Sequence, residues 1–136
     1  MSEGLRTMPL VQIEILKGRA SPEKKRLLQA VHAALVEAFG IPDDDRTQRL
    51  VEHERDNFEI EPGRSEKYTL VEITAFPGRS PSAKRALYKA IVRNLAEAGV
   101  PADDITIVVH EPPMPNWGIG GGKSADEVDL GFAVEV

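Results

Sequence analysis

The chain says nearly the same thing twice, and a duplicated unit leaves few folds open. Leu10-Val11-Gln12-Ile13-Glu14-Ile15-Leu16-Lys17-Gly18-Arg19 reappears as Leu70-Val71-Glu72-Ile73-Thr74-Ala75-Phe76-Pro77-Gly78-Arg79. At the same offset of 60, Lys24 matches Lys84, Leu27 matches Leu87, Ala30 matches Ala90 and Leu35 matches Leu95. After a one-residue deletion the match resumes at an offset of 59, pairing Gly40 with Gly99, Pro42 with Pro101, Asp44 with Asp103, Asn57 with Asn116 and Phe58 with Trp117. A repeat this long marks one duplicated supersecondary unit, so the fold follows from a single copy. The differences between copies point to function, and the chief one is Pro9, whose partner is Thr69.

Within one copy, Val11, Ile13 and Ile15 alternate with Gln12, Glu14 and Leu16, the period of a strand with one buried face. Gly18-Arg19 ends that strand, and Ser21-Pro22-Glu23 opens a helix with a cap residue and an early proline. Leu27, Leu28, Val31, Leu35 and Phe39 then recur at helical spacing, with Lys24, Lys25, Arg26 and Glu37 mostly on the other side. Gly40 closes the helix and Pro42-Asp43-Asp44 turns the chain into a short strand over about Thr47–Glu52. The second copy predicts a strand over Thr69–Phe76, a helix over about Ser80–Ala98 and a strand over Ile105–His110. Each copy is thus β-α-β, with a right-handed crossover joining parallel strands. One α/β (α+β) domain follows: two tandem β-α-β units over residues 9–58 and 69–117, a four-stranded, mainly parallel sheet, and both helices on one face. The other face carries Gln12, Glu14, Leu16, Leu70, Glu72, Thr74, Phe76, Thr106, Val108 and His110. A half-apolar face with no element left to cover it predicts self-association.

Composition narrows the function classes. With 41% hydrophobic and 29% charged residues in 136, this is a globular domain with a real core. A net charge of −5 without a basic block argues against nucleic acid as partner, while local arginines still permit an anionic substrate. No apolar run approaches a membrane span, no secretory signal precedes Met8, and there are no cysteines to form disulfides, thiolate metal sites or a nucleophile. A cytoplasmic protein is expected.

Few residues are placed to do chemistry. Pro9 follows Met8 at the start of the first strand. If translation begins at Met8 and the methionine is removed, Pro9 is a free secondary amine, a good base with little conformational freedom to lose. Ordinary α-amino groups titrate at about 7.7–8.0; burial or an arginine lowers that value and a carboxylate raises it. With Met1 retained, the same nitrogen is an amide without basicity. Arg19 and Arg79 end the first strands of the two units, where guanidinium groups can clamp carboxylates. Asp43, Asp44 and Asp45 read as a polar turn, and His32, His53 and His110 show no metal-ligand spacing; His32 reads as packing. The run Gly118-Ile119-Gly120-Gly121-Gly122-Lys123-Ser124 is not a phosphate loop, because Trp117 stands where its first glycine belongs. It predicts a hairpin that contacts a neighbouring chain.

Together Pro9, Gly18-Arg19, Gly78-Arg79-Ser80 and Trp117-Gly118-Ile119-Gly120-Gly121 resemble the tautomerase superfamily, over nearly the whole chain from Met8 onward. Its simplest members, the 4-oxalocrotonate tautomerase group, are single β-α-β units. Among duplicated members the chain is similar to the branch that includes malonate semialdehyde decarboxylase, through Phe39-Gly40-Ile41-Pro42-Asp43-Asp44-Asp45-Arg46 with Gln48 and His53. The resemblance implies a homotrimer, no cofactor or metal, and a catalytic amino-terminal proline at Pro9. It implies that Asp45 assists the proline, that Arg79 and Arg19 bind substrate carboxylate, and that Trp117 lies at the substrate site. Pro77 replaces an arginine of the decarboxylase branch, and Thr47 and Thr106 fall where tautomerases carry a further arginine.

Three functions follow as expectations. The first is a tautomerase that shifts a proton in small 2-oxo or enol carboxylic acids, with Pro9 as base. The second is a decarboxylase or hydratase of a small 3-oxo acid, with Asp45 holding Pro9 protonated. The third is a non-catalytic trimeric scaffold, if Pro9 is not the mature amino terminus.

Overall fold

The structure, a computed structural model, describes residues 9–129; Met8, on which the reading of Pro9 as an amine turns, lies outside the described residues. The first unit comprises β1 (Leu10–Leu16), α1 (Ser21–Phe39) and β2 (Thr47–His53), and the second β3 (Thr69–Thr74), α2 (Pro81–Glu97) and β4 (Ile105–His110). A two-stranded hairpin of β5 (Gly118–Ile119) and β6 (Lys123–Ser124) follows. The expected elements are all present, with β2 one residue longer and β3 two residues shorter than the pattern predicts. Gly18 and Gly78 both adopt a left-handed backbone, at φ 130° and 128°, which explains glycine at this strand exit in both copies. Ser80 caps α2 by accepting from the Ala83 N–H at 3.0 Å, and Gly40 ends α1 in the left-handed region at φ 67°.

The sheet order is β2-β1-β3-β4, with parallel outer pairs and an antiparallel central pair. A pseudo-twofold axis between β1 and β3 requires this, since a twofold normal to a sheet reverses the strand it maps onto its neighbour. The sheet is therefore mixed, and its two ends carry the same parts of opposite copies.

Val11, Ile13, Ile15, Val71 and Ile73 point at the helices and are at most 2% exposed. They pack on Leu27, Val31, Leu35, Leu87, Ile91 and Leu95, each contributing about 1.5–3 kcal/mol relative to exposure. On the other face Arg49 donates to Gln12 (2.6 Å), Gln12 to Glu14 (3.1 Å), and His53 and His110 pair with Glu14 (2.8 Å) and Glu72 (2.9 Å). Two residues expected on that open face are instead buried. Phe76 is fully enclosed, packing edge-on against Trp117 with ring centroids 5.1 Å apart, and Leu16 is 7% exposed. The glycine hairpin thus folds back on its own chain, with the Trp117 indole N–H donating to Pro112 O at 3.0 Å. Among the described residues no helix is long and apolar enough to cross a membrane.

Candidate active site

Strand register brings Pro9, Asp45 and Arg79 to one end of the sheet. Leu10 pairs with Thr47 on one side and Thr74 on the other, so buried Pro9 sits one step out, beside Asp45-Arg46 and Ala75-Phe76. Arg79 follows β3 at this same end and its Nη1 donates to Phe76 O at 3.2 Å. Three residues 34 and more positions apart in sequence become neighbours because β1 lies between β2 and β3.

Arg79 is 5% exposed, with its guanidinium stacked over the Phe39 ring at 4.8 Å from the centroid. Its Nε is also buried and finds no acceptor among the described residues. Burial pushes the guanidinium below its usual pKa, and the Glu111 and Asp45 carboxylates work in the opposite direction. A buried cation with donors to spare is suited to an anion that arrives from outside. Asp45 is 1% exposed and ends the turn that leads into β2, its N–H donating to Pro42 O at 3.0 Å. On the open face lies a cleft of about 190 Å³ lined by Gln12, Arg49, Glu72, Thr74, His110 and Leu10, the residue after Pro9.

Arg19 lies elsewhere in the chain. It follows β1, and the seven strand residues between set it roughly 23 Å from Pro9 at about 3.3 Å per residue. There its Nη2 donates to Lys67 O at 2.8 Å, and burial lowers its pKa against the pull of Glu23 and Asp104. This far end is the pseudo-symmetric copy of the first: Arg19 for Arg79, Asp104 for Asp45, Thr69 for Pro9. Its aspartate is held by the linker between the units, while Arg19 lines a cleft of about 350 Å³ and keeps a buried Nη1 with no acceptor among the described residues. Ser65 gives Asp104 both its N–H, at 2.8 Å, and its hydroxyl, and Thr69 continues the chain where an amine would be needed. Trp117 belongs to the Pro9 end, but as a wall: it is 9% exposed and covers Phe76, whose carbonyl holds Arg79.

Two contributors escaped the sequence reading. Phe39 was legible as a core position of α1 and as the start of the decarboxylase-like segment, but its stacking on Arg79 depends on tertiary packing. Glu111 carried a signal in the repeat itself: Lys24–Glu52 (3.1 Å) and Lys84–Glu111 (2.5 Å) are equivalent ion pairs, tying each helix start to the end of its unit's second strand. Among the described residues no cluster of three or more histidine, aspartate or glutamate side chains could hold a metal ion.

Comparison with known proteins agrees with this architecture. A family model described as tautomerase enzyme matches residues 45–120, and a second of the same description matches residues 9–68. Probable tautomerase YusQ of Bacillus subtilis (strain 168) is 27% identical over 123 residues, covering 86% of this chain and 97% of that protein. A crystal structure of malonate semialdehyde decarboxylase, described as a basis for decarboxylase and hydratase activities, is 31% identical with a TM-score of 0.77, covering 84% and 92%. A symmetric trimer of a fused 4-OT is 26% identical with a TM-score of 0.76, covering 86% and 96%.

Proposed function

Because the chain belongs to the tautomerase family, we propose that it is an enzyme that relocates a proton in small 2-oxo or enol carboxylic acids, using the amine of Pro9 in a working form that starts at that residue. The observation that carries this reading is Arg79, a buried guanidinium with an unfilled donor at the Pro9 end of the sheet. Arg79 clamps the substrate carboxylate, and Phe39 keeps the guanidinium plane in place. The Pro9 nitrogen takes the enol hydroxyl proton and returns a proton to the adjacent carbon, so the substrate isomerises without loss or gain of atoms. Burial and Arg79 lower the amine's pKa toward neutrality, which suits a base. The working assembly is a homotrimer, supported by the trimeric fused 4-OT; Arg19, remote within one chain, would reach a Pro9 site only from another subunit.

A second reading is favoured by Asp45. A carboxylate 1% exposed beside the amine raises the amine's pKa, and a protonated Pro9 would act as an acid on a 3-oxo acid, in decarboxylation or water addition. Malonate semialdehyde decarboxylase at 31% identity supports it. The protein prepared to begin at Pro9 is the test, assayed on phenylpyruvate-type enol acids and on 3-oxo acids across pH. Activity lost as pH falls identifies the base, and activity lost as pH rises identifies the acid. No turnover of either class, or a protein that retains Met1 or Ser2 when purified from its own cells, leaves the scaffold reading.

A further inference from the structure

His32 is 1% exposed on α1, yet it is not simply core. Its Nε2 is 2.7 Å from Asp43 O and 3.3 Å from Asp43 Oδ1. A carbonyl can only accept, so Nε2 carries the proton and donates. Asp43 is the second residue of the turn Pro42–Asp45, closed by Asp45 N–H to Pro42 O. Holding the carbonyl of Asp43 fixes the plane of the Asp43–Asp44 peptide, and that plane sets the direction in which the chain delivers Asp45.

The second copy shows that such a hook is specific to each unit. Its turn Pro101–Asp104 closes in the same way, with Asp104 N–H to Pro101 O at 3.0 Å. Val92 stands at the position of His32 and Ala102 at that of Asp43. There the linker does the holding, with Arg64 donating to Asp103 O and Ser65 to the Asp104 carboxylate. In the first unit the hook comes from the helix side, and both of its bonds go to Asp43 rather than to the carboxylate of Asp45. Left without such a bond, a buried imidazole would be an unsatisfied polar group, whereas Val92 at the equivalent place is apolar and half-buried.

We propose that His32 is a positioning residue for the candidate site, holding the Asp43 carbonyl so that Asp45 is set against the Pro9 amine. This rests on the reading of Pro9 as the working amine. The test uses the chain beginning at Pro9 with His32→Val, which installs the residue of the second copy, and His32→Gln, whose Nε2 can occupy the place of the imidazole Nε2. Exchange of the Asp45 amide hydrogen, read without substrate, is expected to quicken at least tenfold in H32V and to stay near wild type in H32Q. The Pro9 amine, titrated by 15N NMR, should lose its proton at lower pH in H32V and recover in H32Q. kcat should fall about tenfold in H32V with KM changed less than twofold, because Arg79 still holds the carboxylate. In an Asp45→Asn background, H32V should bring no further change in amine titration or kcat. Unchanged Asp45 exchange in H32V, or an H32V effect that persists in full beside D45N, overturns the proposal. Absence of wild-type turnover on every acid tried would instead count against the Pro9 reading, while the exchange result still judges His32.

Discussion

Asp45 and Asp104 occupy equivalent places at opposite ends of one sheet, each buried at the close of a proline-initiated turn, 1% and 3% exposed. Their surroundings differ in kind. Asp104 is enclosed by the chain's own linker, whereas Asp45 shares its end of the sheet with Pro9, Arg79 and an open cleft.

Pro9→Ala is expected to remove most ketonisation activity, a loss of about 10²–10⁴-fold, the usual weight of a positioned acid or base. Alanine keeps an amino terminus but makes it a primary, more mobile amine. Steady-state rates on an enol acid, with a circular dichroism spectrum to confirm folding, check this; full activity sinks the role of Pro9.

Asp45→Asn should shift a pH profile downward, because the amine cation loses its carboxylate partner. If Pro9 is a base, the acid limb moves to lower pH and activity at pH 6 rises. If Pro9 is an acid, the basic limb moves down and activity at neutral pH falls. A profile that stays in place means Asp45 serves only the turn.

Arg79→Ala should raise KM at least tenfold and affect kcat less, since it removes the carboxylate clamp and leaves the amine. Phe39→Leu keeps most of the core volume but removes the ring under the guanidinium, and should raise KM in the same direction by a smaller factor. An unchanged KM in both variants would remove Arg79 from the substrate site.

Ser65→Ala should destabilise the fold by about 1.5–3 kcal/mol, the range for hydrogen bonds to a charged group. Burial acts to raise the Asp104 carboxyl pKa, but the Ser65 hydroxyl and N–H, with Arg64 and Arg19 near, overcome it and hold the pKa below the ordinary value. A folded pKa below the unfolded value of about 3.9 gives stability that is complete above that value and is lost as pH falls through the folded pKa. Urea unfolding should therefore show a large deficit for S65A at pH 7 that shrinks toward pH 2. An equal deficit at both pH values would mean that Ser65 acts through packing alone.

Much of this protein is legible before any coordinate is seen. The period-2 and helical patterns place the strands and helices to within two residues, because they record which side chains each element must bury. The repeat dictates two equal units, and Pro9 against Thr69 marks the copy that could carry chemistry. Asp45 was legible by resemblance rather than by its own surroundings, since a run of three aspartates reads as any polar turn.

What tertiary structure alone decided is which of these parts meet. Periodicity encodes the buried side of a strand but not its neighbour or its direction, so the antiparallel centre that brings Arg79 to the Pro9 end is not written in either copy. The stacking of Arg79 on Phe39 and the folding of Trp117 onto Phe76 likewise join residues far apart in the chain. Even over the 11 positions from His32 to Asp43, only the packed structure shows the bond that converts an apparent core position into a hook on the turn before Asp45. Local sequence specifies local conformation because backbone preference and burial act over a few residues. A site is assembled by pairing across the sheet, and that depends on how all four strands bury their faces at once.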